Sequence, residues 1–255
     1  MKTIPINILK ENGPVSRHLI LGTVLLGFTL AASTHAATLT VTSFNADGII
    51  QNGNASSTSE GFIVAGSFNG NLSRVVIYPF LLPTLPLNEV LSGASLGAVY
   101  ESLVNGAPNF NVDVYAVGVT GSNDIAQSSF AFWGVGVAPT TPAGSALIQN
   151  DFVTPTTGVG TITSDAGAST SLVNYLNANY VAGNYLFLRL NFDVAQGTEV
   201  SGYRFVANNL GGGTDTIAGS SPAVLTLTTT PIPEPASLSL LGLGGLLMFR
   251  RSRRQ

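Results

Sequence analysis

Cysteine is absent from the 255 residues, and histidine occurs only twice, as His18 and His35. The first absence rules out a disulfide framework and thiol chemistry. The second matters because both histidines fall within an N-terminal stretch with the pattern of a removable leader. The body that remains holds no imidazole, so Ser-His-Asp hydrolysis, Cys-His chemistry and His-ligated zinc or copper are excluded for lack of parts. Charge is scarce as well, at 9% of residues, and the lysines are confined to Lys2 and Lys10. Between Thr38 and Thr230, eleven acids face only Arg74, Arg189 and Arg204, a balance of −8. A body of that sign is repelled by phosphate backbones, so nucleic acid is not an expected partner.

What is present is glycine, at 29 residues, with Ser, Thr and Asn between short apolar runs. That is an exported, β-rich composition. Residues 1–36 carry a basic start (Lys2, Lys10, Arg17, His18) and an apolar segment from Leu19 to Ala32. They end in the small-residue exit Thr34-His35-Ala36, the layout of a secretory signal peptide with its own helix. Cleavage is expected after Ala36, with Ala37 marking the neighbouring site. About 190 residues are left, enough for one domain with a real core, placed at 37–230.

Period-two alternation marks the strands of that domain. Leu39 and Val41 alternate with threonines; Leu72–Tyr78, Ala94–Tyr100 and Phe110–Ala116 follow. The clearest run is Leu186–Val194, with Leu186, Leu188, Leu190, Phe192 and Val194 on one face and Arg189, Asn191 and Asp193 on the other. Ala223–Thr228 closes the series. Polar turns such as Asp47-Gly48, Asn69-Gly70 and Asn105-Gly106 separate the runs. The fold class expected is all-β, a single antiparallel β-sandwich of jelly-roll type. The proline-broken Phe80–Leu87 reads as a crossover packed on the core. Leu172, Val173, Leu176 and Tyr180 recur at helical spacing between Ser169 and Gly183, after a Ser/Thr cap, and predict one short helix. Thr228–Pro233 is expected to be a stiff linker.

Three groups in the body are candidates for chemistry. Asp47, with Asn45, Asn52, Asn54 and Glu60 near it, offers hard oxygen ligands for Ca²⁺ in a glycine-rich loop, although asparagine and aspartate serve such turns for their own backbone bonds. Trp133, the only tryptophan, could stack on a sugar ring, although Phe130, Phe132, Val135 and Val137 around it favour burial. The scattered acids single out no pair spaced for glycoside hydrolysis, so no enzyme is expected, and no cofactor beyond a possible Ca²⁺. Arg74, Arg189 and Arg204 are expected as strand-face ion-pair partners of those acids.

The C-terminal 23 residues are of another kind. Pro233-Glu234-Pro235 precedes an apolar run from Ala236 to Phe249, and Arg250, Arg251, Arg253 and Arg254 follow it. As a helix the 14-residue run reaches roughly 21 Å, short of the about 30 Å hydrocarbon core of a bilayer, so it is a poor permanent anchor. The arginines place its end in the cytoplasm and the domain outside. This order of parts closely resembles the PEP-CTERM sorting signal of Gram-negative bacteria, here residues 231–255. The resemblance implies an exosortase-type membrane protease as a partner beside signal peptidase and the secretion machinery. It also implies transient inner-membrane anchoring by a C-terminal hydrophobic helix, then delivery to the cell surface or extracellular matrix.

A looser resemblance covers residues 38–230. Ala46-Asp47-Gly48, Arg74–Phe80 leading into Leu85-Pro86, Ala94-Ser95-Leu96, Pro142–Ser145 and Ser221–Thr226 are similar to DNRLRE-type β-sandwich domains, which are related to carbohydrate-binding modules. Tyr78-Pro79-Phe80 stands where that family has Phe-Asp. The function expected is an exported structural or adhesive protein without catalysis, the alternative being a carbohydrate-binding module acting on extracellular polysaccharide.

Overall fold

The computed structural model describes residues 36–43, 48–51, 54–57, 62–68, 72–124, 139–193, 201–206 and 223–232, all within the unit Ala36–Gln255. Its elements are β1 (Thr38–Thr42), β2 (Gly48–Gln51), β3 (Asn54–Ser57), β4 (Phe62–Phe68), β5 (Leu72–Leu81), β6 (Glu89–Val104), β7 (Val112–Thr120), β8 (Ala146–Val153), β9 (Gly160–Thr163), α1 (Ala166–Asn179), β10 (Tyr185–Phe192), β11 (Gly202–Val206) and β12 (Val224–Pro231). The expected signal helix and C-terminal helix lie outside the described residues. Among those described, no helix is long and apolar enough to cross a membrane.

The strands join in one antiparallel sheet in the order β1-β12-β6-β11-β4-β5-β10-β7-β8, with β9 on β6 and the β2-β3 hairpin on β5. Two long strands change partners along their length. At Arg74, β5 lies between Gly66 of β4 and Gln51 of β2, and at Val76 between Ile49 of β2 and Leu190 of β10, so β4 and β10 take up one edge of β5 in succession. In the same way β12 and β11 share the edge of β6 opposite β9. β4 is handed from β5 to β11 at Gly66, where a Cβ would meet the Ser201 carbonyl oxygen at 2.4 Å. Only glycine fits so close an approach.

One core gathers side chains from strands across this network, among them Val76, Tyr78 and Phe80 of β5, Leu96 of β6, Leu186 and Leu188 of β10, and Leu225 and Leu227 of β12. Tyr203 centres an aromatic cluster, edge-on to Tyr100 and Phe110 at 5.7 Å each, and its hydroxyl donates to the Phe110 carbonyl at 2.7 Å. Leu172 and Leu176 of α1 are fully buried in the same core.

Four local expectations are corrected. The helix begins earlier than its apolar spacing suggests. Its cap is Asp165, whose Oδ1 accepts from Ala168 N at 2.7 Å, and Ser169 lies within it. Phe80 and Leu81 belong to β5, and the crossover starts at Leu82. Pro79 is tolerated there because β2 pairs with β5 only as far as Ile77, so proline's missing N–H leaves no partner unserved on that edge. Thr228–Pro231 is strand, not linker, with Thr230 opposite Val90 and Pro231 opposite Glu89. Finally, β10 is not half-buried: Leu186 through Phe192 are all buried, because β5 and β7 flank it and both of its faces are covered.

Candidate functional site

β12 delivers the chain to its C-terminal signal, and the residues around its end set how. Leu225 and Leu227 point into the core, and the alternation of β12 runs unbroken past a register shift between Thr228 and Thr229, whose extra residue, Ser92, lies on β6. Thr229 follows on the same face and is fully buried. Its N–H donates to the Ala37 carbonyl at 2.9 Å; its hydroxyl lies 3.3 Å from the same carbonyl and donates to the Glu89 carboxylate. One residue beyond the strand, Ile232 N donates to the Asn88 carbonyl at 2.7 Å. Asn88 holds a left-handed turn, φ 62°, that brings β6 alongside. Backbone pairing therefore extends to the residue before Pro233, and Ala37 lies beside Thr229 at the same pole.

Of the residues singled out in the sequence, Ala36 and Ala37 are described. Ala36 is exposed, and Ala37 is half-buried against β12. Pro233, Glu234, Pro235, Arg250, Arg251, Arg253 and Arg254 lie outside the described residues, as do Trp133, Asp47 and Glu60. Glu89, Asn88 and Thr229 were not singled out. The one sequence signal for them was the polar Thr228–Thr230 run, which has the composition of a linker.

A second polar assembly lies beneath the 139–141 segment. Arg189, 1% exposed, donates from Nε and Nη2 to Asn191 Oδ1 at 3.1 and 2.9 Å. Asn191 Nδ2 in turn donates to the carbonyls of Pro139, Thr140 and Phe192 at 2.8–3.0 Å. Burial lowers the guanidinium to about 10, against a small opposing effect of Tyr115, so it stays charged at neutral pH. Across the ladder, Tyr115 stands opposite Arg189 and Asp113 opposite Asn191. Burial raises the Asp113 carboxyl, and the charges of Asp193 and Asp151 push the same way, while the bond it accepts from Asp151 N at 2.8 Å opposes them. Asp151 Oδ1 accepts from Asn111 Nδ2 at 2.7 Å, and Asp193 Oδ1 from Asn111 N at 3.1 Å.

These carboxylates are spent on fastening the ends of β7, β8 and β10. Among the described residues no group of three or more acids is arranged to hold a metal. The ion-pair expectation fits Arg204, whose Nε lies 3.9 Å from Glu101 Oε2, while Arg189 places two hydrogen bonds on the Asn191 amide. A groove of about 450 Å³ between the ends of β7 and α1, lined by Val117, Val119, Tyr175, Asn179 and Val181, contains no carboxylate.

Residues 231–254 match the PEP-CTERM protein-sorting motif. Signals of this kind are recognised by exosortase, a membrane protease, and the motif implies that the chain is exported to the cell surface and processed by that enzyme. A comparison with curated proteins finds no match.

Proposed function

We propose that the chain is a structural or adhesive protein of the surface or extracellular polysaccharide matrix of a Gram-negative bacterium, with no catalytic activity of its own. Its leader is removed after Ala36, and its tail holds it in the inner membrane until exosortase cuts near Pro233-Glu234-Pro235. The observation that carries this reading is the junction at Ile232, where a fully paired strand passes directly into the sorting motif. Supporting the absence of catalysis, the Asp113, Asp151 and Asp193 carboxylates accept hydrogen bonds from backbone and amide donors. The sheet is read as a jelly-roll-like sandwich, since β5 and β6 each change partners along one edge while their side chains share one core.

Cleavage after Ala36 leaves Ala37 in place as the acceptor for Thr229, whereas cleavage one residue later removes it. Mass spectrometry of the secreted protein tests the whole reading. The expected chain starts at Ala37 and ends beyond Ile232 without the arginine cluster; an intact Gln255 refutes it. A glycan array on the same material decides the alternative: specific polysaccharide binding makes the body a carbohydrate-binding module instead.

A further inference from the structure

Three large apolar side chains are exposed at the pole where β12 ends. Leu87 is 88% exposed, Ile232 49% and Val90 46%. They are neighbours through the backbone, since Ile232 N is bonded to Asn88 O and Val90 is paired with Thr230. A cluster of this kind at one end of a domain marks an interaction surface.

The length of chain beyond it identifies the partner. The apolar tail begins at Ala236, four residues past Ile232. Even fully extended, four residues span at most about 14 Å. The headgroup layer between hydrocarbon and water is roughly 5–8 Å thick on each side. With the tail in the bilayer, Ile232 is therefore held in the headgroup layer or just above it. Ala37, beside Thr229, brings the start of the domain to the same pole. The sole charged residue within 82–92 and 228–232 is Glu89, which is half-buried and bonded to Thr229, so the surface offers the membrane apolar contact and no cation for anionic lipid.

We propose that Leu87, Val90 and Ile232 form an apolar foot on which the domain rests on the lipid bilayer while its tail is attached. The foot keeps Pro233-Glu234-Pro235 at interfacial depth, where a membrane protease works, and cutting the tail removes the tether that holds it there. This rests on the reading that the tail enters the membrane, and the test separates the two.

Because the chain has no cysteine, one introduced cysteine carries the only label. The full chain is prepared from cells lacking the sorting protease and mixed with phosphatidylcholine vesicles. An environment-sensitive dye is placed at Leu87→Cys or Ile232→Cys, with Leu103→Cys, 40% exposed at the far end of β6, as reference. The expected result is a blue shift and a several-fold rise in emission at 87 and 232 and no change at 103. In unlabelled protein, Leu87→Ser combined with Val90→Ser is expected to weaken flotation with vesicles about tenfold.

If the chain floats with vesicles while labels at 87 and 232 behave like that at 103, the foot is rejected and the tail reading survives. A chain that does not bind vesicles sinks both. A shift seen only when the protease is also in the vesicles makes the patch a protein interface and overturns the lipid assignment.

Discussion

Arg189 and Asn191 show how a polar pair can occupy an interior strand. An unserved guanidinium in this position would carry a large desolvation cost, and Asn191 offsets it by accepting two of its hydrogen bonds while its own amide is held by the carbonyls of residues 139 and 140. Asn191→Ala is therefore expected to destabilise the domain by about 2–4 kcal/mol in urea unfolding, far more than an exposed asparagine would cost. A loss within a few tenths of a kcal/mol means that Arg189 does not depend on this amide. Asp113 is the opposite case, an acid held at an energetic disadvantage by burial and by the charges of Asp193 and Asp151. Its folded pKa lies above the unfolded value near 3.8, so the folded state keeps the proton longer, and stability falls as pH rises through that window. The amide of Asp113→Asn can still accept from Asp151 N. This variant is expected to melt at a higher temperature than the parent at pH 7, and the difference should close below pH 3.8. A variant that melts lower at both pH values reverses the sign and rejects the account.

Alternation of polar and apolar residues located β1, β7, β10 and β12 because period two is a local property of the chain. It misjudged β10's second face because coverage by the 139–141 segment is a property of the fold. Strands whose periodicity is broken did not stand out: β8 contains Asp151 at φ 56° and shifts register against β7 twice, and β11 has five residues with a further shift between Arg204 and Phe205. The helix was legible from Leu172 and Leu176, while its start depended on one side chain, Asp165, reaching Ala168 N. Asp165→Ala is expected to cost about 1 kcal/mol by thermal unfolding, and a neutral result removes the cap. Where β4 passes from one partner to the next, Gly66 has a stricter role. A methyl group there meets the Ser201 carbonyl oxygen at 2.4 Å and Gly202 Cα at 2.6 Å, both backbone atoms. Gly66→Ala is expected to cost at least about 3 kcal/mol or to abolish folding, and a variant of normal melting temperature shows that the β4 crossing can open without penalty.

At the scale of the molecule, the two ends of the described domain meet at one seam. Ala37, next to the expected leader cut, is bonded to Thr229, four residues ahead of Pro233, although 192 positions separate the pair. The sorting signal could be read from residues alone because a membrane protease recognises a linear stretch: Pro-Glu-Pro, an apolar run and arginines in fixed order. The seam could not, since it depends on β1 and β6 lying on opposite edges of β12 and on Thr229 continuing the buried face of Leu225 and Leu227 past a one-residue irregularity in β6. The same polar composition that suggested a linker serves here as a buried hydrogen-bonding device. Thr229→Val keeps the shape and β-propensity of the residue but removes the hydroxyl from between the Ala37 carbonyl and Glu89. The loss is expected to be about 1–2 kcal/mol, or about 3–6 °C in melting temperature for a domain of this size. The sorting motif is untouched, so the mature C-terminus found by mass spectrometry should stay where it is in the parent. If the melting temperature is unchanged, the Ala37–Thr229–Glu89 contact does not fasten the ends. If the C-terminus moves upstream of Ile232, the pairing of β12 with β6 depends on that hydroxyl, and the sheet rather than the motif sets where the protease stops.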